Sequence, residues 1–236
     1  MLVSHRKKFI FVKTSKTAGT SVESFFEPWC MPEGEWEQSH AREETVTEAG
    51  IIGRRSADIS GAEWHGHMFA EQIREKLGQE MWDAYFKFTV VRNPFDRMIS
   101  RFFMQVAQLA GKGWNRRVKS WWQFDNRLLP MIRRSDVTRF RNWVRRGGRM
   151  RGSEIYRIDG QSEVDFFIRY ENLENDIREV CKRLDIEFGQ GSLPRFKSGF
   201  RNRAIPVRDF YDRSTREHVE REHAWEIECF GYEMPD

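Results

Sequence analysis

The sequence contains no apolar run near the roughly eighteen residues that a membrane-crossing helix requires, so no span is expected. Its basic N-terminus, Met1 to Lys13, includes an apolar stretch of only Phe9–Val12, too short for the core of a secretory signal. Cysteine is scarce. Cys30, Cys181 and Cys229 are odd in number, widely spaced and form no C-x-x-C pair, which argues against a disulfide framework and for reduced thiols and a cytoplasmic location. Internal repeats, linkers and low-complexity tracts are missing, and so is the Walker pattern G-x-x-x-x-G-K-[ST].

What is present is material for a core. Apolar residues make up 39% and aromatics 14% of 236 residues, enough for one packed domain spanning 1–236. The net charge of +4 is unevenly spread, because residues 112–151 hold eleven Arg and two Lys against two Asp. Such a block suits an anionic partner, and it equally suits a solvated helical face.

Short apolar runs at Lys7–Lys13, Phe86–Val91 and Val164–Arg169 read as buried strands. Helical spacing follows at Thr20–Phe26, Phe69–Leu77, Trp121–Ile132, Val137–Arg146 and Leu173–Leu184. Asn93 and Pro94 read as the N-cap and first residue of a helix presenting Phe95, Met98, Ile99, Phe102, Phe103 and Val106. A last helix is expected from Ser214, with Glu217 completing a capping box, to Phe230, and His218 and His223 on it are expected at the surface. Residues 28–62 show no sustained period and read as an irregular excursion or lid. Strands alternating with helices predict an α/β fold with a central, mainly parallel sheet flanked by helices.

Two strand-to-helix junctions carry chemistry. In Lys13–Ser21 (KTSKTAGTS), Ala18 and Gly19 permit close approach, Thr17, Thr20 and Ser21 offer hydroxyls, and Lys16 offers a cation at a helix N-terminus. The segment reads as a phosphate loop of a non-Walker kind or, equally, as an ordinary Ser/Thr-rich turn with a surface lysine. At the second junction, VVRNPFDRMIS, Arg92 leaves a strand, and Asn93, Arg97 and Ser100 share one side of the helix. A guanidinium and a hydroxyl there suit a phosphate. The alternative is a surface pair of Arg97 with Asp96.

Together the two junctions resemble the sulfotransferases that use 3′-phosphoadenosine 5′-phosphosulfate (PAPS), in particular the carbohydrate branch that includes heparan sulfate 2-O-sulfotransferase. In that family a segment reading PKTAGTS holds the 5′-phosphosulfate, and RNPFDRxxS holds the 3′-phosphate. The resemblance implies a P-loop-NTPase-like fold and PAPS as donor without a metal. It assigns Lys16, Thr17, Ala18, Gly19, Thr20 and Ser21 to the first phosphate, and Arg92 and Ser100 to the second. Here Ser15 stands where the family commonly has Pro, and Lys13 where it frequently has His. The resemblance also implies that one of Lys197, Arg201 and Arg203 closes over the nucleotide, with Arg203 taken as the ligand.

Transfer to an alcohol needs a base, and histidine suits that task at neutral pH. Trp64-His65-Gly66-His67 resembles the family segment that supplies it, which makes His67 the general base and His65 a helper. Structural histidines, or a metal pair completed by His40, are the competing uses of this segment. The acceptor implied is a hydroxyl compound, a saccharide, and an anionic one if the Arg- and Trp-rich block (Trp114, Trp121, Trp122, Trp143) binds it. Two other functions compete: a nucleotide-dependent kinase, and a non-catalytic binder of polyanions or nucleic acid.

Overall fold

The computed structural model describes residues 1–56, 58–111, 135–189, 193–194 and 205–236. The expected helix at 121–132, the part of the basic block at 112–134 with Trp114, Trp121 and Trp122, and Lys197, Arg201 and Arg203 lie outside the described residues. In chain order the first elements are β1 (Leu2–Ser4), β2 (Phe9–Val12), α1 (Gly19–Phe26), β3 (Thr45–Thr47) and β4 (Gly50–Ile52). There follow α2 (Ala70–Leu77), α3 (Gln79–Ala84), β5 (Phe86–Val91) and α4 (Pro94–Gly111). The later strands are β6 (Arg157–Ile158), β7 (Gln161–Ser162) and β8 (Phe166–Arg169). Two compact units result, 1–92 with 151–196 and 93–150 with 197–236.

The first unit is built on a six-stranded sheet in the order β3-β4-β1-β2-β5-β8. The three strands legible as apolar runs, β2, β5 and β8, are adjacent and parallel, with Val12 beside Thr89 and Val91 beside Arg169. The other three pairings are antiparallel, so the sheet is mixed, not mainly parallel. Strands of three residues are too short to show a period of two, which is why β1, β3 and β4 gave no signal. Two of them lie within 28–62, so that segment is partly ordered sheet and not wholly irregular.

Alternation in β2 and β5 sends Phe9, Phe11 and Phe88 to one face, where Val22, Phe25 and Phe26 of α1 meet them. Phe26 stands 5.0 Å from Phe88 and 5.6 Å from Phe9, ring centre to ring centre, in edge-on geometry. Ile177, Val180 and Cys181 of the helix Leu173–Arg183 join the same core. Each such fully buried side chain contributes roughly 1.5–3 kcal/mol. Gly78, at φ 83°, ends α2 and opens α3, so the expected stop is a corner between two helices.

In the second unit the Asn93 side chain accepts from the Phe95 N–H at 3.1 Å, as expected of an N-cap. Phe95, Met98, Ile99, Phe102 and Phe103 are buried with Phe140 and Val144 of the helix Asp136–Arg145. The C-terminal helix differs from expectation. Its cap is Asp212, which accepts from the Thr215 N–H at 3.0 Å, while Glu217 pairs with Arg213 on the surface. It also breaks at His223 into Arg213–Glu222 and Ala224–Phe230.

His223 is buried, and its ring bonds Glu226 at 2.9 Å. Arg97 is wholly buried and holds the Glu226 carboxylate through both terminal nitrogens, at 2.9 and 2.8 Å. It is therefore neither a surface partner of Asp96 nor a phosphate ligand. A buried guanidinium persists only with a carboxylate to match it.

In the described part of the basic block two arginines bond neighbouring elements, while Arg145, Arg146, Arg149 and Arg151 are exposed. Arg141 donates to the carbonyls of Asp209, Phe210 and Tyr211 at 2.9–3.0 Å, and Arg145 bonds Asp212. Trp143 packs on Phe102 and Phe140 and donates to Gln105 at 3.1 Å, which is a core role. Among the described residues, no helix is long and apolar enough to cross a membrane.

Candidate functional site

The parallel strands β2, β5 and β8 end on the same edge of the sheet, so Lys13, Arg92 and Tyr170 follow one another along it. Ligands of open α/β sheets bind at that carboxyl edge. The loop after β2 is stitched to β5: Thr14 donates its hydroxyl to the Val90 carbonyl, and Thr89 donates to Val12 at 2.6 Å. Thr14 and Thr17 exchange a hydroxyl bond at 2.9 Å, which holds the loop's base.

From there the chain turns sharply, with Lys16 at φ 66° and Ala18 at φ 63°, both in the left-handed region. Such non-glycine conformations cost of order 1–3 kcal/mol and persist where the surroundings enforce them. Part of the enforcement comes from Arg92, whose Nη1 donates to the Lys16 carbonyl at 2.9 Å. The Arg92 guanidinium is itself stacked 4.0 Å from the centre of the Tyr170 ring.

The turn leads into α1, where Ser21 and Val22 donate to the Ala18 carbonyl at 2.8 and 3.2 Å. The amides of Thr17, Ala18, Gly19 and Thr20 have no such partner among the described residues. A Cβ at Gly19 would lie 3.1 Å from the Thr14 carbonyl and 3.2 Å from Lys13 Cγ, so the close turn is one that glycine permits. Left-handed turning, successive amides and a helix N-terminus form an anion cradle, and these residues fit a phosphate or sulfate group.

His65, Gly66 and His67 are brought beside this loop by backbone pairing. Arg54 donates to the Trp64 carbonyl at 2.8 Å, and Gly66 donates back to the Arg54 carbonyl at 3.0 Å. Gly53 makes room: a Cβ there would stand 2.9–3.0 Å from the His65 main chain. His67, at φ 64°, places Nδ1 3.2 Å from the Lys13 carbonyl. A carbonyl only accepts, so Nδ1 carries the proton and the Nε2 lone pair is left for chemistry.

His65 makes the same kind of bond to the Gly66 carbonyl at 2.9 Å. Burial first, and then the Lys13 ammonium, push the His67 imidazole down to about 3, so the ring is neutral at any physiological pH.

Beneath the loop lies a charge cluster that sequence reading missed. Glu23 of α1 is fully buried; it takes the Met1 amino group at 2.7 Å, Arg55 at 2.8 Å, and Lys13. Arg55 also bonds Glu27, which accepts from Arg42 at 3.1 Å and from the Trp36 indole at 3.2 Å. Burial alone would raise the Glu23 carboxyl, but Lys13, the Met1 amino group and Arg55 hold it far below the usual carboxylate range. Glu23 on α1 and Glu27 at its C-terminal cap are four apart, a spacing that could have flagged a shared face. Nothing in the sequence pointed from there to Arg55.

Of the expected site residues, the structure brings Lys16–Ser21, Arg92, His65 and His67 into one unit. Ser100 is half-buried on α4 of the other unit, and Arg203 is outside the described residues. An anion cradle at the end of a parallel strand, with a neutral imidazole seated on its first carbonyl, has the parts of a group-transfer enzyme acting on a phosphate-like donor. The chain matches the sulfotransferase family over residues 1–233 and belongs to it. An uncharacterized protein of Archaeoglobus fulgidus is 28% identical over 121 residues, which cover 50% of this chain and 83% of that protein. No solved structure matches the chain.

Proposed function

We propose that this protein transfers a sulfuryl group from PAPS to the hydroxyl of a carbohydrate by in-line displacement, in the cytoplasm. The observation that supports it most is the bond from His67 Nδ1 to the Lys13 carbonyl, which ties a base to the first residue of the anion cradle. The donor supplies the sulfuryl group and departs as 3′-phosphoadenosine 5′-phosphate.

His67 Nε2 takes the proton of the acceptor hydroxyl as its oxygen bonds to sulfur, and His65 helps to orient that hydroxyl. The bond from sulfur to the bridging phosphate oxygen breaks, and its electron pair stays with the phosphate. Lys16 places an ammonium there, and the amides of Thr17–Thr20 with the Ser21 hydroxyl hold the remaining oxygens. Arg92, Ser100 and Arg203 are assigned to the 3′-phosphate by family resemblance.

The test is a thermal-shift titration in EDTA with PAPS and with 3′-phosphoadenosine 5′-phosphate, alongside mass-tagged sulfate transfer onto saccharides, phenols and lipid alcohols. At a hundredfold excess over Kd the ligand stabilises by about 2.7 kcal/mol. His67→Ala is expected to keep this shift and lose turnover, whereas Arg92→Ala loses both. Turnover of a nucleoside triphosphate, or no response to either nucleotide, refutes the proposal.

A further inference from the structure

Lys13 leaves β2 with its side chain only 4% exposed, an unusual place for an ammonium. Burial draws the Lys13 ammonium below its ordinary value, and Glu23, itself fixed by the Met1 amino group and Arg55, opposes that loss of charge. The main chain of the same residue accepts the His67 Nδ1 proton at 3.2 Å. The ammonium also lies close under the His65–His67 turn: a methyl group built on Gly66 would stand 3.9 Å from both Cδ and Nζ of Lys13. One residue therefore touches the base through its carbonyl and sets an ammonium beside the turn that carries it.

We propose that Lys13 is the positioning residue of His67: its carbonyl fixes the ring proton on Nδ1, and its ammonium, held by Glu23, is the charge beside which the ring sits. The proposal rests on the reading of His67 as the general base and adds how that base is kept ready. Among the described residues, the charged groups acting on the ring are Lys13 after β2, the Met1 amino group just before β1, and Glu23 of α1.

Burial and the two cations oppose an imidazolium, while Glu23 and the Lys13 carbonyl favour it, and opposition wins. The ring then has one free lone pair, on Nε2, and no proton to lose before it can act. Lys13→Met removes one cation yet leaves Glu23 matched by Met1 and Arg55, so the cluster remains neutralised. His67 should then take up a proton at higher pH. Lys13→Arg keeps the charge and should restore the original behaviour.

The experiment is a two-bond proton–nitrogen spectrum of the full chain labelled with 15N-histidine. His67 is assigned by its loss in His67→Asn. The wild-type ring is expected as the neutral, Nδ1-protonated form from pH 8 to 5.5. At pH 5 the protonated fraction of His67 in Lys13→Met should exceed that of wild type about tenfold, with Lys13→Arg at the wild-type value.

The acid limb of sulfuryl transfer should move up in the Met variant alone. An Nε2-protonated ring in the wild type, or an unchanged protonated fraction in folded Lys13→Met, overturns the proposal. Should the Met variant not fold, Lys13→Gln carries the charge arm, and the wild-type spectrum still decides the tautomer. Absence of sulfuryl transfer by the wild type would sink the functional reading, while these spectra would still decide the positioning role.

Discussion

Glu23→Ala should cost far more than any surface ion pair, and its size follows from counting what is left behind. Glu23 is completely buried and touches three cations: the Met1 amino group at 2.7 Å, Arg55 at 2.8 Å, and Lys13. Arg55 keeps Glu27 after the change, but Lys13 and the Met1 amino group lose the only carboxylate they contact among the described residues. Leaving a buried charge without its partner costs about 3–5 kcal/mol, a large part of a typical total of roughly 5–15 kcal/mol.

Urea denaturation followed by tryptophan fluorescence measures the loss, with Glu217→Ala, whose partner Arg213 is solvent-exposed, as a control expected to change little. The pH dependence has a definite sign. The folded Glu23 carboxyl is depressed, so its contribution is complete above the ordinary value of 4.5 and drains away as pH falls. The gap between wild type and Glu23→Ala should therefore narrow below that value, by about 1.4 kcal/mol per pH unit. A loss under about 1 kcal/mol at pH 7, or a gap that does not narrow in acid, refutes the reasoning.

Three further outcomes are expected. Gly53→Ala forces a Cβ to within 2.9–3.0 Å of the His65 main chain, so the segment carrying His67 must move. Turnover should fall about ten- to a hundredfold while nucleotide-induced stabilisation persists; loss of both would show a broader collapse. Arg97→Met takes the guanidinium from the buried Glu226 carboxylate, leaving the His223 ring bonded to it, and should cost about 3–5 kcal/mol in urea denaturation, with the double change Arg97→Met/Glu226→Leu recovering much of it. The pH–rate profile should show no acid limb at the ordinary histidine value of 6.5, because His67 is pushed down to about 3 and stays in its active neutral form. The same depression means that its contribution to stability is present above 6.5 and is lost as pH falls toward about 3, which acid titration of wild type against His67→Asn would reveal.

What could be read from the chain follows from how local each signal is. The runs FIFV and FKFTVV announce buried strands because nearly every residue reports the same environment, whereas FFIR fully buries only Ile168; Asn93-Pro94 announces a helix start because a cap is a property of neighbours. The sharp turn between β2 and α1 was legible for that reason too: strand, turn, small residues and helix lie close together in the chain.

Pairings between distant residues have no such local mark. Lys13 read as the end of a strand run, Glu23 drew no reading, and Arg97 read as part of a phosphate-binding side or a surface partner of Asp96, until the fold buried each against opposite charge. His67 shows the division most clearly. Its type and its neighbours His65 and Gly66 suggested a base, yet its protonation state is set by a carbonyl fifty-four residues away and an ammonium on that same residue. A base is chosen by its side chain, but whether it is ready to accept a proton is decided by burial and charge that only the folded chain assembles.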